Sequence, residues 1–210
     1  MAGSITMLSD SQADFATEAL LRDAALGDDA ALARLLNHHR ERLHRMIAFR
    51  LDPRLAVHVD ASDIVQEALA DAARKLTDYC HKRPLPFYPW LHRLASERLA
   101  LARRRYRRVP VNAQWADSSA NQLIDLLVAQ DSTPSHDLAR EEQRRRVHAA
   151  LDRLAASDRE ILILRYLEEL AFAEIAAILG IEAGAAKMRH LRALQRIRML
   201  LEVEGSASAP

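Results

Sequence analysis

The sequence predicts an all-α protein built as two helical domains joined by a flexible linker. Three observations lead there. The 210 residues include only 5 glycines and 5% aromatic residues, while 50% are apolar and 28% charged. Ala, Leu, Glu and Arg supply most of that total, a composition that favours helix. Apolar residues recur at three- and four-residue spacings through most of the chain. No stretch shows the alternation of β-branched and polar residues that marks a strand.

The elements follow in order. Residues 1–17 are polar. From Thr17 to about Leu51 the apolar positions Leu20, Ala24, Leu32, Leu35, Leu36, Leu43, Ile47 and Leu51 have helical spacing. Gly27 in "GDDAA" separates two helices, and Pro53 ends the second. A third helix starts near Asp60–Ser62, with Ile64, Val65, Ala68, Leu69, Ala72 and Leu76 as its apolar stripe, and "CHKRPLPFYP" breaks it. Pro89 suits a first helical position. Trp90, Leu91, Leu94, Ala95 and Leu99 open a fourth helix, which ends in "ARRRYRR". Residues 109–137 are polar around one short apolar run, "LIDLLVA", and read as a linker. Helical periodicity returns at Leu138 and lasts to about Leu201, before the small polar tail "EGSASAP".

Overall charge names no partner, because 30 Lys and Arg stand against 29 Asp and Glu; only the local distribution can. Cys80 is the sole cysteine, which excludes an intrachain disulfide and points to a reducing compartment. The opening "MAGSITMLSDSQADF" lacks the basic region and apolar run of a signal peptide. No apolar run approaches the roughly 18 residues that span a membrane. A soluble, cytoplasmic protein with no membrane insertion is expected.

Charge gathers first near the C-terminus. Ser157 is placed to cap "DREILILRYLEEL", with Glu160 completing a capping box. A nearly uncharged helix through Glu174, Ile175, Ile178 and Leu179 closes at Gly180, which can adopt the left-handed conformation, and a last helix starts near Glu182 or Ala183. Two helices joined by a short glycine-containing turn form a helix-turn-helix unit. On the last helix Ala185, Arg189, Arg192 and Arg196 share a narrow sector, and Ala186, His190, Ala193, Ile197 and Leu201 lie about a quarter turn away, where they can pack. Such a cationic stripe is either a solvated face or a helix made for the major groove. The glycine turn and the uncharged helix before it favour DNA.

The N-terminal half carries two further clusters. Asp63, Glu67 and Asp71 stand four apart on the third helix and form an acidic ridge with Gln66 beside it. The ridge is either solvated or docks on a basic partner. The fourth helix runs from Phe87, Tyr88 and Trp90 to Arg103, Arg104, Arg105, Arg107 and Arg108. Aromatic rings and arginines together suit a single-stranded nucleic acid. Core packing is the expectation for Trp90; for Phe87 and Tyr88 both readings stand. No phosphate-binding glycine loop, zinc spacing among His38, His39, His44 and Cys80, or catalytic constellation is present in the sequence, so no enzyme, metal or cofactor is expected.

The ordered set resembles a bacterial RNA polymerase sigma factor of the sigma-70 superfamily, extracytoplasmic-function (ECF) type. "DASDIVQEALADAARKL" is similar to that family's region 2.2, "PFYPWLHRLASERLALARRRYRR" to regions 2.3 and 2.4, and "LDRLAASDREILILRYLEELAFAEIAAILGIEAGAAKMRHLRALQRI" to region 4. The resemblance implies a region 2 domain over 18–108, a linker over 109–137 and a region 4 helix-turn-helix domain over 138–202. It implies a sigma factor that binds core RNA polymerase, through the β′ clamp helices and the β flap, and directs promoter-specific initiation. Asp63, Gln66 and Glu67 would bind the core. Phe87, Tyr88, Arg103, Arg104, Arg105, Arg107 and Arg108 would serve the −10 element, with a base pocket beside the loop from about Asp78 to Phe87. Lys187, Arg189, Arg192 and Arg196 would serve the −35 element; because Arg189 and Arg192 lie nearer the helix N-terminus, they are expected to touch bases as well as phosphates, and Arg196 mainly to anchor phosphate. An anti-sigma factor is a further implied partner. Glu97 departs from the family's neutral residue facing DNA, Gly184-Ala185-Ala186 from its Gly-Thr-Val, and Met188 from its common Ser. The alternatives are a helix-turn-helix regulator of duplex DNA that is no sigma subunit, which leaves the N-terminal motifs idle, and a helical adaptor that binds only protein.

Overall fold

The computed structural model describes residues 16–51, 53–106 and 146–207. Every regular element among them is helical, and they divide into two compact units. The expected linker and Arg107 and Arg108 lie outside the described residues.

The first unit holds helix α1 (16–25), most of α2 (Asp29–Arg50), α4 (Ala61–Lys82) and α5 (Phe87–Arg105). Gly27 turns the chain between α1 and α2 at φ +93°, and Asp28 caps α2 by accepting from the Ala30 and Ala31 amides at 2.8 and 3.0 Å. The buried residues of α2, Ala31, Leu35, His39, Leu43, Met46 and Ile47, recur at the spacing of one helical face. Asp60 caps α4, accepting from the Ser62 amide at 2.6 Å. The α4 helix runs further than expected, through Lys82, and stops at Arg83, which is left-handed at φ 37°. Proline at 84 disfavours the α conformation for Arg83, so the stop falls there and not at Cys80. The following helix starts at Phe87, two residues before Pro89, whose missing amide would have had no intrahelical partner in the first turn. Ile64, Val65, Ala68 and Leu76 of α4 join Leu91, Leu94 and Leu99 of α5 in the core; burying each large side chain stabilises by about 1.5–3 kcal/mol.

The second unit holds α6 (146–153), α7 (Ala156–Leu162), a widened turn Ile163–Leu167, α8 (Phe172–Leu179), α9 (Ala183–Ala207) and the segment Ala48–His58 with the short α3 (Pro53–Ala56). Ser157 does not cap α7. That role falls to Ala155, whose carbonyl accepts from the Asp158 and Arg159 amides at 2.9 and 3.1 Å, so Ser157 sits inside the helix. The expected capping box is absent because Glu160 is engaged elsewhere: its Oε1 accepts from Arg50 at 2.7 Å. The same guanidinium donates to Oε1 of Glu168 at 2.7 Å, and Glu168 is 2% exposed. Burial works against the Arg50 charge, but the two carboxylates outweigh it and raise its pKa. This tie fastens residues 48–58 into the second unit. The other half of a capping box forms one helix later, where Glu174 accepts from the Ala171 amide at 3.0 Å.

Candidate nucleic-acid interface

Gly180 sets the geometry of the C-terminal site. It closes α8 at φ 64°, ψ 36°, with its amide donating to the Ala176 carbonyl, and Ile181 donates to the same carbonyl at 3.0 Å. A Cβ at Gly180 would meet nothing within 4 Å, so conformation alone calls for glycine here. The turn launches α9, which packs on α7 and α8 through Ala186, Ala193 and Ile197, exposed by 0, 0 and 6%. Two of those contacts are alanines, which lets the helix backbone sit close to its neighbours.

With that face inward, the opposite face points to solvent. At about 100° per residue its apex is Met188, Leu191, Gln195 and Met199; Met188, Leu191 and Met199 are each about half exposed. Arg189, Arg192 and Arg196 line one flank, with Lys187 and Arg198 on the other. The arginine stripe is therefore a border, and the apolar apex between the cations is what a charge-led reading of the sequence passes over. The wheel carried the signal: the apex lies opposite Ala186, Ala193 and Ile197. His190 takes its expected place at the core edge, its Nε2 3.2 Å from the Tyr166 hydroxyl, and burial followed by the charge of Arg165 lowers its pKa.

A groove of about 390 Å³ runs along the arginine flank, lined by Asp158, Ala185, Met188, Arg189, Arg192 and Arg196. One of the expected cations is engaged within it. Arg196 donates through Nη1 to Oδ2 of Asp158 on α7, and the Asp158 side chain is only 6% exposed.

The acidic ridge of α4 divides in the same way. Asp63, Gln66 and Glu67 are exposed. Asp71 is 7% exposed and accepts from Arg98 of α5 and from Arg74. Burial raises the Asp71 carboxyl, but the Arg98 hydrogen bond and charge outweigh it and hold it below its ordinary range. Arg98 also approaches Glu67 at 3.5 Å. Asp71 thus joins α4 to α5; Arg98, its counter-ion, was not singled out by spacing or charge runs.

On α5, Arg103, Arg104 and Arg105 are exposed at the C-terminal end. Phe87 and Tyr88 are not: they are 5 and 4% exposed. Phe87 packs against Tyr79, Trp90 and His39 at ring-centroid distances of 5.4, 5.7 and 5.3 Å, and Arg42 covers Tyr88 at 3.8 Å. Rings so enclosed favour the core-packing reading for Phe87 and Tyr88 over the base-stacking one. Trp90 is buried as expected, stacked 4.4 Å from Tyr79. The loop before α5 shrinks to 83–86, since Asp78–Lys82 is helical. Glu97 is exposed and lies 3.8 Å from Arg93 one turn earlier.

Among the described residues no group of His, Cys, Asp and Glu could hold a metal ion, and no helix is long and apolar enough to cross a membrane.

A family model, "Sigma-70, region 4", matches residues 144–197, which hold the glycine turn and all four cations expected to meet the −35 element. The ECF RNA polymerase sigma factor SigE of Mycolicibacterium smegmatis is 30% identical over 88% of this chain and 68% of its own length. SigD of Mycobacterium tuberculosis H37Rv, also an ECF RNA polymerase sigma factor, is 30% identical over 86% of this chain and 82% of its own. The chain belongs to the ECF sigma factors. The all-helical architecture of this sigma factor agrees with that of CnrH, solved in complex with the cytosolic domain of CnrY, at a TM-score of 0.54 and 23% identity over 90% of this chain and 98% of that one. Its similarity to SigE and SigD spans both helical units, so the N-terminal motifs belong to the same family signal as the helix-turn-helix.

Proposed function

We propose that this sigma factor docks on core RNA polymerase through Asp63, Gln66 and Glu67 of α4 and reads promoter DNA with both units. Residues 18–108 serve core binding and the −10 element, 109–137 link, and 138–202 serve the −35 element. The observation that carries the reading is the Gly180 turn, which turns the packed face of α9 inward and leaves Lys187, Arg189 and Arg192 around an exposed apex. A helix of that build can enter a major groove, its N-terminal residues nearest the bases and its flanking cations on phosphates. Arg189 and Arg192 stand closer to that end than Arg196.

For the −10 element the exposed Arg103–Arg105 run replaces the buried aromatic pair as the contact surface. Tyr79, Phe87, Tyr88 and Trp90 hold the start of α5 rigid so that the run is presented in a fixed place. The reading entails no catalysis, no cofactor and action in the cytoplasm, where polymerase and promoter are. An anti-sigma factor completes the proposed partners; CnrH, which shares the fold, was solved with the cytosolic domain of CnrY. The test is transcription by reconstituted holoenzyme from a panel of −35 variants. Arg192→Ala should relax preference at one or two positions, each worth about 1–3 kcal/mol of discrimination. Unchanged preference with intact core binding would remove α9 as the reader.

A further inference from the structure

The groove beside α9 contains its own anion. The Asp158 carboxylate is almost wholly buried at the floor of a cationic groove and is held there by Arg196, the cation placed to anchor phosphate. Arg196 remains half exposed, so its position alone would qualify it for DNA. Its charge, however, is already matched. A neutral ion pair condenses no counterions from DNA and releases none, so it adds nothing to the electrostatic part of binding.

We infer that Asp158 is a positioning residue of the DNA-reading surface: it takes the place of a phosphate for Arg196 and turns that arginine from a DNA contact into a strut that braces α9 against α7. The inference deepens the proposed −35 reading and rests on it. Arg189 and Arg192 line the same groove without such a carboxylate partner among the described residues, so the phosphate-contacting charge on this flank is theirs. Bracing also makes functional sense. Arg196 is one helical turn beyond Arg192, so a fixed Arg196 holds the reading end of α9 at a set angle to the rest of the unit. A promoter that offers a phosphate at Arg196 gains only if the pair with Asp158 opens.

The experiment measures the affinity of the full chain for a fluorescent random-sequence DNA duplex as a function of salt. Each phosphate contact contributes about 0.9 to the slope of log affinity against log salt. Asp158→Asn removes the internal anion while keeping the side-chain shape. It should steepen the slope by about 0.9 and tighten binding roughly fivefold at 0.15 M salt, the factor that one such contact supplies at that concentration. Asp158→Asn combined with Arg196→Ala should return the slope to the wild-type value. That charge-neutral double substitution also decides the matter if Asp158→Asn alone fails to fold, because it removes Arg196 without leaving an unmatched carboxylate. A slope that falls by about 0.9 in the double variant, or that stays unchanged in folded Asp158→Asn, overturns the inference. Arg192→Ala separates this from the underlying reading. If it lowers the slope while Asp158→Asn does not raise it, the groove meets DNA and only the role of Asp158 fails. If Arg192→Ala leaves the slope unchanged, the groove does not meet DNA and both fail.

Discussion

Arg196 of α9 and Asp158 of α7 form an ion pair in which the carboxylate is buried and the guanidinium is half in solvent. The pair joins α7 to α9 within the second unit. Removing the arginine leaves a buried carboxylate with its partner gone. Loss of one member of a fully buried pair costs about 3–5 kcal/mol, and partial exposure on the arginine side reduces that. Arg196→Ala should therefore lower stability by roughly 1–2 kcal/mol, read as a drop in the urea midpoint. A variant as stable as the wild type would show that the pair does not brace the unit.

The acidic ridge of α4 should split by function. Asp63 and Glu67 are exposed, so reversing both to Lys should shift stability by no more than about 0.5 kcal/mol while core binding weakens strongly. Asp71→Asn should act oppositely, destabilising the first unit because Arg98 loses a buried charge partner. Circular-dichroism melts beside a polymerase pull-down check both. Equal loss of core binding without loss of stability in both variants would contradict the division.

His39 gives the first unit an acid-sensitive core. Burial, then the charges of His38 and Arg42, lower its pKa from 6.5 to about 3, and its buried Nε2 has no hydrogen-bond partner among the described residues. The unfolded chain takes up this proton below about pH 6.5 and the folded chain does not until about pH 3. Stability from this group is thus full above pH 6.5 and is lost as pH falls toward 3. At pH 5 the loss amounts to about 2 kcal/mol. His39→Gln should flatten the fall in melting temperature between pH 7.5 and pH 5; an identical fall in the variant would exclude His39 as its cause.

Glu97 sits on the exposed side of α5, beside Arg93 and one to two turns before Arg103–Arg105. If that side faces DNA, its carboxylate opposes phosphate and also offsets Arg93. Glu97→Gln should strengthen promoter binding by the holoenzyme, more at low salt than at high. Equal affinity at both salt concentrations would place this turn of α5 away from DNA.

Helix order, the break at Gly27, the start of α4 near Asp60 and the left-handed Gly180 were legible because each depends on local chemistry. A glycine turn has few alternatives at those positions. The burial of Ala186, Ala193 and Ile197 was legible for the same reason, as periodicity. What failed to show were relationships across helices. Nothing local marks Asp71 as the partner of Arg98, 27 residues on, or Asp158 as the partner of Arg196, 38 residues on. Asp71 reads as a surface charge on the ridge until a facing helix removes it from water. Phe87 and Tyr88 stayed open for the complementary reason: aromatic rings beside arginines suit both a base-stacking surface and a core edge, and the packing of His39, Tyr79 and Trp90 around them favours the core edge. Ser157 does not cap because the helix already starts at Ala156, and Glu160, its expected reciprocal partner, bonds to Arg50, more than 100 residues earlier in the chain.

Run-off transcription with purified core RNA polymerase on genomic fragments, with and without this chain, tests the sigma assignment most directly. Discrete transcripts should arise only when chain and core are both present, and Asp63→Lys with Glu67→Lys should abolish them while the folded state persists. Sequence-specific binding of duplex DNA by the chain alone, with no core-dependent transcripts and no association with core, would contradict it.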